Sequence, residues 1–520
     1  MKKNIFTYCF LAFMLLWSAS CTGRFEEFNR DPSGATDEEV GRMGYAINSI
    51  LLGMGDWVVP TQVHQNQFIE VLAGGNLGGY FASVQDGFNG STISTFNSND
   101  HWTSPGFNAV IPPVFIAWND LRERTDNPVL LAVSDILRVM AVVRVTDIYG
   151  PIPYSQIGVD GALTAVYDSQ EAVYRRMFQE LSSAIETLTA NSTSNFTPLA
   201  DNVFRGNIVS WVRLANSMKL RMAMRISNAD ATLARQMAEA AVNHEIGVMT
   251  SNAHNAFRPV VASNPLFTQT HEWNDERISA DLTSVMNGFN DPRRERMFTV
   301  STFGGDITNG FIGMRSGVHI PPRDISGTAN FSNLNMTSNA PVMWMNAAEV
   351  SFLKAEGALR GWNMGGTAEQ FYNEGIRLSF EQWGALGYAQ YILDDTSTPI
   401  AYVDPLGLFS FTGMPSNITI MWYDNDSFER NLERIITQKW IAIFPLGLEA
   451  WSTYRRTGFP RLMPAVLNNS GGIVDSARGA RRLPFPQRES LENLTNLQHA
   501  ISNYLGGPDN MGTDVWWARP

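Results

Sequence analysis

Apolar residues recur three and four apart along three stretches of the chain, each followed or preceded by a second stretch of the same kind. In 168–188, Val173, Met177, Leu181, Ile185 and Leu188 share one helical face, with Asp168 and Glu171 placed to cap its start. The segment 129–149 is its natural antiparallel neighbour. That segment is also the longest apolar run of the interior, but Asp135, Arg138, Arg144 and Asp147 interrupt it, so it predicts a buried helix and not a membrane span. A second pair is predicted over 207–227 and 231–243, with Ile208, Trp211, Ala215, Met218, Met222 and Ile226 as the buried stripe. Lys219, Arg221 and Arg225 lie off that stripe and are expected on a solvated or salt-bridged surface. A third pair covers 347–360 and a helix restarting at Thr367, where Gln370 completes a capping box. Each pair is close to the ~34 residues of a tetratricopeptide repeat. The intervals between pairs are long and unequal, which excludes a clean tandem solenoid.

Those intervals have a different texture. Residues 74–108 and 252–339 are rich in Gly, Asn, Ser, Thr and aromatics and show little helical period, which predicts long ordered loops with a few short strands. Binding usually resides on loops held by a rigid scaffold. Sugar recognition needs flat rings for stacking beside amides, carboxylates or guanidinium groups. On placement alone the first interval offers Asn76, Tyr80, Asn97 and Trp102, and the second offers Trp273 and Arg315. The plain alternative for any one ring is that it plugs its own loop.

At 520 residues, 44% of them hydrophobic, the chain can bury an extensive core. The formal charge of −12 becomes two units more negative if Lys2 and Lys3 leave with a leader, which argues against nucleic acid as a partner. The first residues, MKKNIFTYCFLAFMLLWSASC, have the basic, apolar and small-residue layout of a secretory signal. Cys21 follows Ser18-Ala19-Ser20 as in the site at which bacterial lipoproteins are cleaved and acylated, which predicts a leader over 1–20 and a lipidated tether over 21–35. In a plain secreted protein Cys21 would be incidental. The other cysteine, Cys9, lies in the leader, so no disulfide is expected in the mature chain.

No catalytic motif stands out. His271-Glu272 and His244-Glu245 lack the second histidine of a zinc helix, and no nucleophile elbow, Walker loop or dinucleotide turn occurs. A carboxylate pair for glycoside hydrolysis has no sequence signature and stays open. Asp424-Asn425-Asp426 lacks the glycine of a calcium loop and reads as the entry to a helix. No metal or cofactor is expected.

Several phrases coincide with one family: FEEFNRDPSG (25–34), TDIYGPIPYSQ (146–156), SWVRLANSMKLRMAMRIS (210–227), NDPRRERMF (290–298), APVMWMNAAEVSFLKAEGALRGW (340–362), FYNEGIRLSFEQWG (371–384), QKWIAIFPLGLEAWSTYRRTGFPRL (438–462), RRLPFPQRE (481–489) and GGPDNMGTDVWW (506–517). In this order they resemble the SusD/RagB family. The resemblance implies a mostly α fold of four tetratricopeptide-like helix pairs against a loop-rich region with few short strands, here a single domain over 36–520. It also implies a lipid anchor through Cys21 at the cell surface of the outer membrane, no catalysis, and a SusC-like TonB-dependent outer-membrane transporter that receives captured glycan or peptide. A secreted hydrolase and a purely structural surface protein are the alternatives from other classes. Because 438–462 recurs in a family of varied ligands, Trp440, Phe444 and Trp451 are expected to be packing, as are Trp211, Trp383 and Trp516-Trp517.

Overall fold

The computed structural model describes residues 44–158, 164–322, 327–413 and 416–519. Cys21, the leader and the tether lie outside them. The chain divides into two units, Met1–Ser49 and Ile50–Pro520; the structure describes 44–49 of the first, and the second holds the elements below.

Helix Pro128–Tyr149 packs along helix Gln170–Ala190, helix Ile208–Arg225 along Ala231–Val242, and helix Ala347–Leu359 along Ala368–Trp383. Their ends follow from local chemistry. Asn127, Asn207, Asp230 and Asn346 each turn a side-chain oxygen onto the first free N–H groups, and Thr367 with Gln370 forms the full capping box. Ser169, not Asp168, caps Gln170–Ala190, its side chain accepting from the Ala172 N–H. Asp168 instead accepts from the N–H groups of Tyr154 and Ser155 at 3.2 and 2.7 Å, beside the two-stranded ladder of β2 (Ile152–Pro153) and β3 (Tyr167–Asp168).

The expected basic surface on the second pair is overturned. Lys219, Arg221 and Arg225 are 7%, 8% and 4% exposed, because helix Ile208–Arg225 is covered by Gln170–Ala190, Ala231–Val242 and Ala347–Leu359 at once. Arg221 reaches Glu349 at 2.6 Å and Arg225 pairs with Glu449. Lys439 meets the same Glu449 at 2.9 Å, and Arg456 meets Glu356 at 2.6 Å. An apolar period of 3.6 marks one buried face and is blind to a helix enclosed on several sides.

Helices Phe428–Ala442 and Gly447–Thr457 carry the aromatic-rich stretch, and Ser427 caps the first of them. Trp440 and Trp451 are 1% and 0% exposed. Their indole N–H groups donate to the carbonyls of Gly78 at 2.7 Å and Ala480 at 3.0 Å, so the stretch is core, as expected. Trp517 is buried with its indole N–H on Asp147 at 2.9 Å, and Trp211 is buried too. Trp383 is half-buried. Asp426 holds Arg434 at 2.6 Å just before the helix, in keeping with a helix-entry turn.

The two loop-rich intervals are joined. β1 (Phe81–Ser83) pairs antiparallel with β5 (Glu276–Ile278), Phe81 opposite Ile278 and Ser83 opposite Glu276. β4 (Ala256–Arg258), just before β5, pairs with β6 (Val342–Met345), well after it, closing the second interval at its base. The helix entering the first interval runs Val63–Asn66 and then, π-wound, Gln67–Gly75. It crosses Gly447–Thr457 backbone to backbone: a Cβ on Gly447 would lie 2.1 Å from the Glu70 carbonyl oxygen. Only glycine permits that approach.

Candidate functional site: an aromatic ridge across two loops

Partly exposed rings run from one loop-rich interval to the other. Trp273 stacks on His64 with ring centroids 5.1 Å apart and planes 26° from parallel. Phe68 follows His64 by one turn of the same helical stretch. Phe68 meets His101 edge-on at 5.3 Å, and the next residue, Trp102, meets Phe88 edge-on at 4.7 Å. His64 and His101 are exposed, and Phe68, Phe88, Trp102 and Trp273 are half-buried.

Local structure fixes each ring. Asn99 caps the short helix Asp100–Thr103, its side chain accepting from the Trp102 N–H, and so orients His101 and Trp102. Phe88 leans on the cluster of Ala82, Val84, Phe303, Val318, Ile320 and Phe331. Trp273 ends the π-wound turn Thr268–Glu272, its N–H bonded to the Thr268 carbonyl at 2.8 Å. The β1–β5 ladder then locks the stretch after Trp273 to the stretch before Phe88.

The β5 strand that follows Trp273 carries a buried acid. Glu276 has no exposed surface. Burial pushes its carboxyl up to about 8; the Ser83 hydrogen bond opposes this, Asp275 adds to it and Arg277 opposes it. The Ser83 hydroxyl donates to Oε1 at 2.6 Å, while Oε2 is buried without a hydrogen-bond partner.

Of the six residues expected to bind ligand, the structure places only Trp102 and Trp273 on the ridge. Tyr80 has no exposed surface; its hydroxyl donates to the Trp440 carbonyl and its ring packs on Trp440 at 5.4 Å and Phe444 at 5.2 Å. Arg315 is 4% exposed and donates to the carbonyls of Pro464 at 2.6 Å and Phe409 at 3.4 Å. Asn76 is buried and donates to Ser83 Oγ at 3.3 Å. Asn97 is half-buried and accepts from Thr95 Oγ1 at 2.9 Å. These four serve the loops themselves, because folded irregular backbone and its buried polar atoms need partners that a ladder would otherwise supply. His64, Phe68, Phe88 and His101 join the ridge without having been expected there. The i, i+4 spacing of His64 and Phe68 beside the first loop was the available signal.

Among the described residues no group of three His, Cys, Asp or Glu could hold a metal ion, and no helix is long and apolar enough to cross a membrane.

Paired helices joined by loop-rich intervals with a few short strands define a mostly α, tetratricopeptide-like fold. The chain belongs to the SusD-like family, described as Susd and RagB outer membrane lipoprotein, whose model matches residues 27–518; it is thus an outer membrane lipoprotein by family. A SusD homolog from Bacteroides uniformis is similar at 46% identity and TM-score 0.87, over 92% of this chain and 100% of that one. Another from Bacteroides thetaiotaomicron has 42% identity and TM-score 0.85, over 91% and 99%. A chitin-binding SusD homolog from Flavobacterium johnsoniae has 38% identity and TM-score 0.86, over 91% and 98%. No protein in the curated comparison matches.

Proposed function

We propose that the protein captures glycan at the cell surface on the ridge from Trp273 to Phe88 and passes it to a SusC-like TonB-dependent transporter, without turning it over. Three ring pairs with surface in solvent, Trp273–His64, Phe68–His101 and Trp102–Phe88, carry this reading. Sugar rings present C–H faces that pack on aromatic faces, and the His64 and His101 imidazoles add hydrogen-bonding atoms for hydroxyls. A row of several rings suits an extended chain of sugar units better than a single one. The chitin-binding relative supports a glycan as cargo. Anchorage through acylated Cys21 would hold the protein at the membrane, since acyl chains supply attachment where no span does.

The test is calorimetric titration with chitooligosaccharides, other oligosaccharides and mixed peptides, with product analysis for turnover. Saturable binding of an oligosaccharide that weakens in both Trp102→Ala and Trp273→Ala supports the proposal. Peptide binding with no oligosaccharide binding, or release of shorter products, overturns it.

A further inference from the structure

A separate, solvent-open groove of 530 Å³ lies among the helix pairs, lined by Ser182, Glu186 and Thr189 of helix Gln170–Ala190, Lys219 of helix Ile208–Arg225, and His244 and Glu245 beyond helix Ala231–Val242. No ridge residue lines it. Its size falls within the ~300–1,000 Å³ of small-molecule pockets.

Lys219 is a buried cation without a carboxylate; Arg315 and Arg455 also lack one, but each of their guanidinium groups donates to two backbone carbonyls. Arg221, Arg225, Arg293, Lys439 and Arg456 are buried and each meets a carboxylate. Lys219 is 93% hidden from solvent yet makes no ion pair among the described residues; its Nζ donates to the Ser182 hydroxyl at 2.9 Å. An ammonium has three donors, and the Ser182 hydroxyl takes one of them. Burial lowers the Lys219 pKa, with no carboxylate counteracting it, the mark of a cation lacking its counter-charge. A methionine of the same length would avoid that cost.

The rest of the wall says what the counter-charge belongs to. Glu186 and Glu245 are exposed there and outnumber Lys219, so a bare anion such as phosphate gains little. His244 Nδ1 accepts from the Ile246 N–H at 3.2 Å, which in the neutral ring leaves the proton on Nε2, 3.4 Å from Thr189 Oγ1. Burial and Lys219 lower the His244 pKa against the pull of Glu245, so the ring acts as a neutral donor. A fitting ligand carries a carboxylate at one end and hydroxyl donors at the other.

We propose that this groove binds a hexuronate, its carboxylate on the Lys219 ammonium and its ring hydroxyls directed to Glu186, Glu245, Thr189 and His244.

Titration of the full chain with sodium glucuronate tests this. Saturable binding is expected, at least tenfold weaker in Lys219→Met and unchanged in Trp102→Ala and Trp273→Ala, with glucose, acetate and phosphate each at least tenfold weaker than glucuronate. Thr189→Val, at a half-buried position, keeps the test decisive should Lys219→Met fail to fold: a several-fold loss supports the site. The proposal is overturned by absence of glucuronate binding, by equal affinity in whichever of the two variants folds, by loss in the ridge variants, or by acetate or phosphate binding as tightly as glucuronate.

Discussion

Two regions of this protein are rich in tryptophan, and they use it in opposite ways. In helices Phe428–Ala442 and Gly447–Thr457, Trp440 and Trp451 are enclosed, each indole N–H is bound to a distant carbonyl, and Arg455 lies 3.7 Å over the Trp451 ring. On the ridge, Trp102 and Trp273 each have one ring partner and keep a share of their surface in solvent. A side chain that is wholly buried has spent its surface on the fold. One that is half-buried is positioned by the fold and still has a face to offer.

Variants that break the comparison come in descending order of effect. Trp440→Ala or Trp451→Ala removes a large buried ring and is expected to destabilise by about 3–5 kcal/mol in chemical denaturation, with oligosaccharide affinity of the folded fraction unchanged. Stability retained alongside lost binding would move these tryptophans from core to site.

Arg221→Met leaves Glu349, which has no exposed surface, with only the more distant Lys439 ammonium at 3.9 Å as counter-charge. Loss of about 3–5 kcal/mol is expected, and Arg221→Met combined with Glu349→Leu should recover most of it. A double variant no more stable than the single one would show that the pair does more than neutralise itself.

Glu276 separates the regions by pH. Burial pushes its carboxyl up to about 8 from the ordinary glutamate value of 4.5. Between those values the folded state binds more protons than the unfolded one, so this group lowers stability as pH rises through that window. Glu276→Gln should therefore raise the unfolding free energy at pH 8.5 by an amount on the order of a few kcal/mol, and the gain should vanish below pH 4.5. A gain of equal size at both ends would detach the effect from ionisation.

The smallest expected effect falls on the ridge itself. Trp102→Ala and Trp273→Ala each remove a stacking contribution of about 0.5–1.5 kcal/mol beyond area burial, a several-fold loss of oligosaccharide affinity with the unfolding midpoint little changed. Parent-like affinity in both variants would remove the ridge as the site.

Much of the scaffold was legible from the chain alone. Thr367 with Gln370, the stripe Val173 to Leu188, and the break between Phe428–Ala442 and Gly447–Thr457 depend on neighbours within a turn or two, so spacing reports them. The loop-rich intervals were legible as loops for the same reason. Trp102 and Trp273, chosen by residue type and location, keep part of their surface in solvent, whereas Tyr80 and Arg315, chosen by the same rule, are buried. Residue type does not report which face of an irregular loop is covered.

Tertiary structure alone decided three things. It enclosed helix Ile208–Arg225 on several sides, turning an apparent basic surface into buried ion pairs and one lysine beside a groove. It paired β1 with β5 across nearly two hundred residues of chain, setting the loops of Trp102 and Trp273 against one another. It also brought His64 and Phe68 of a helix between those loops to complete the ridge. The physical reason is common to all three. Spacing along a chain encodes the period of an element and the chemistry of its ends, whereas exposure depends on which other elements cover it, and those are distant in sequence.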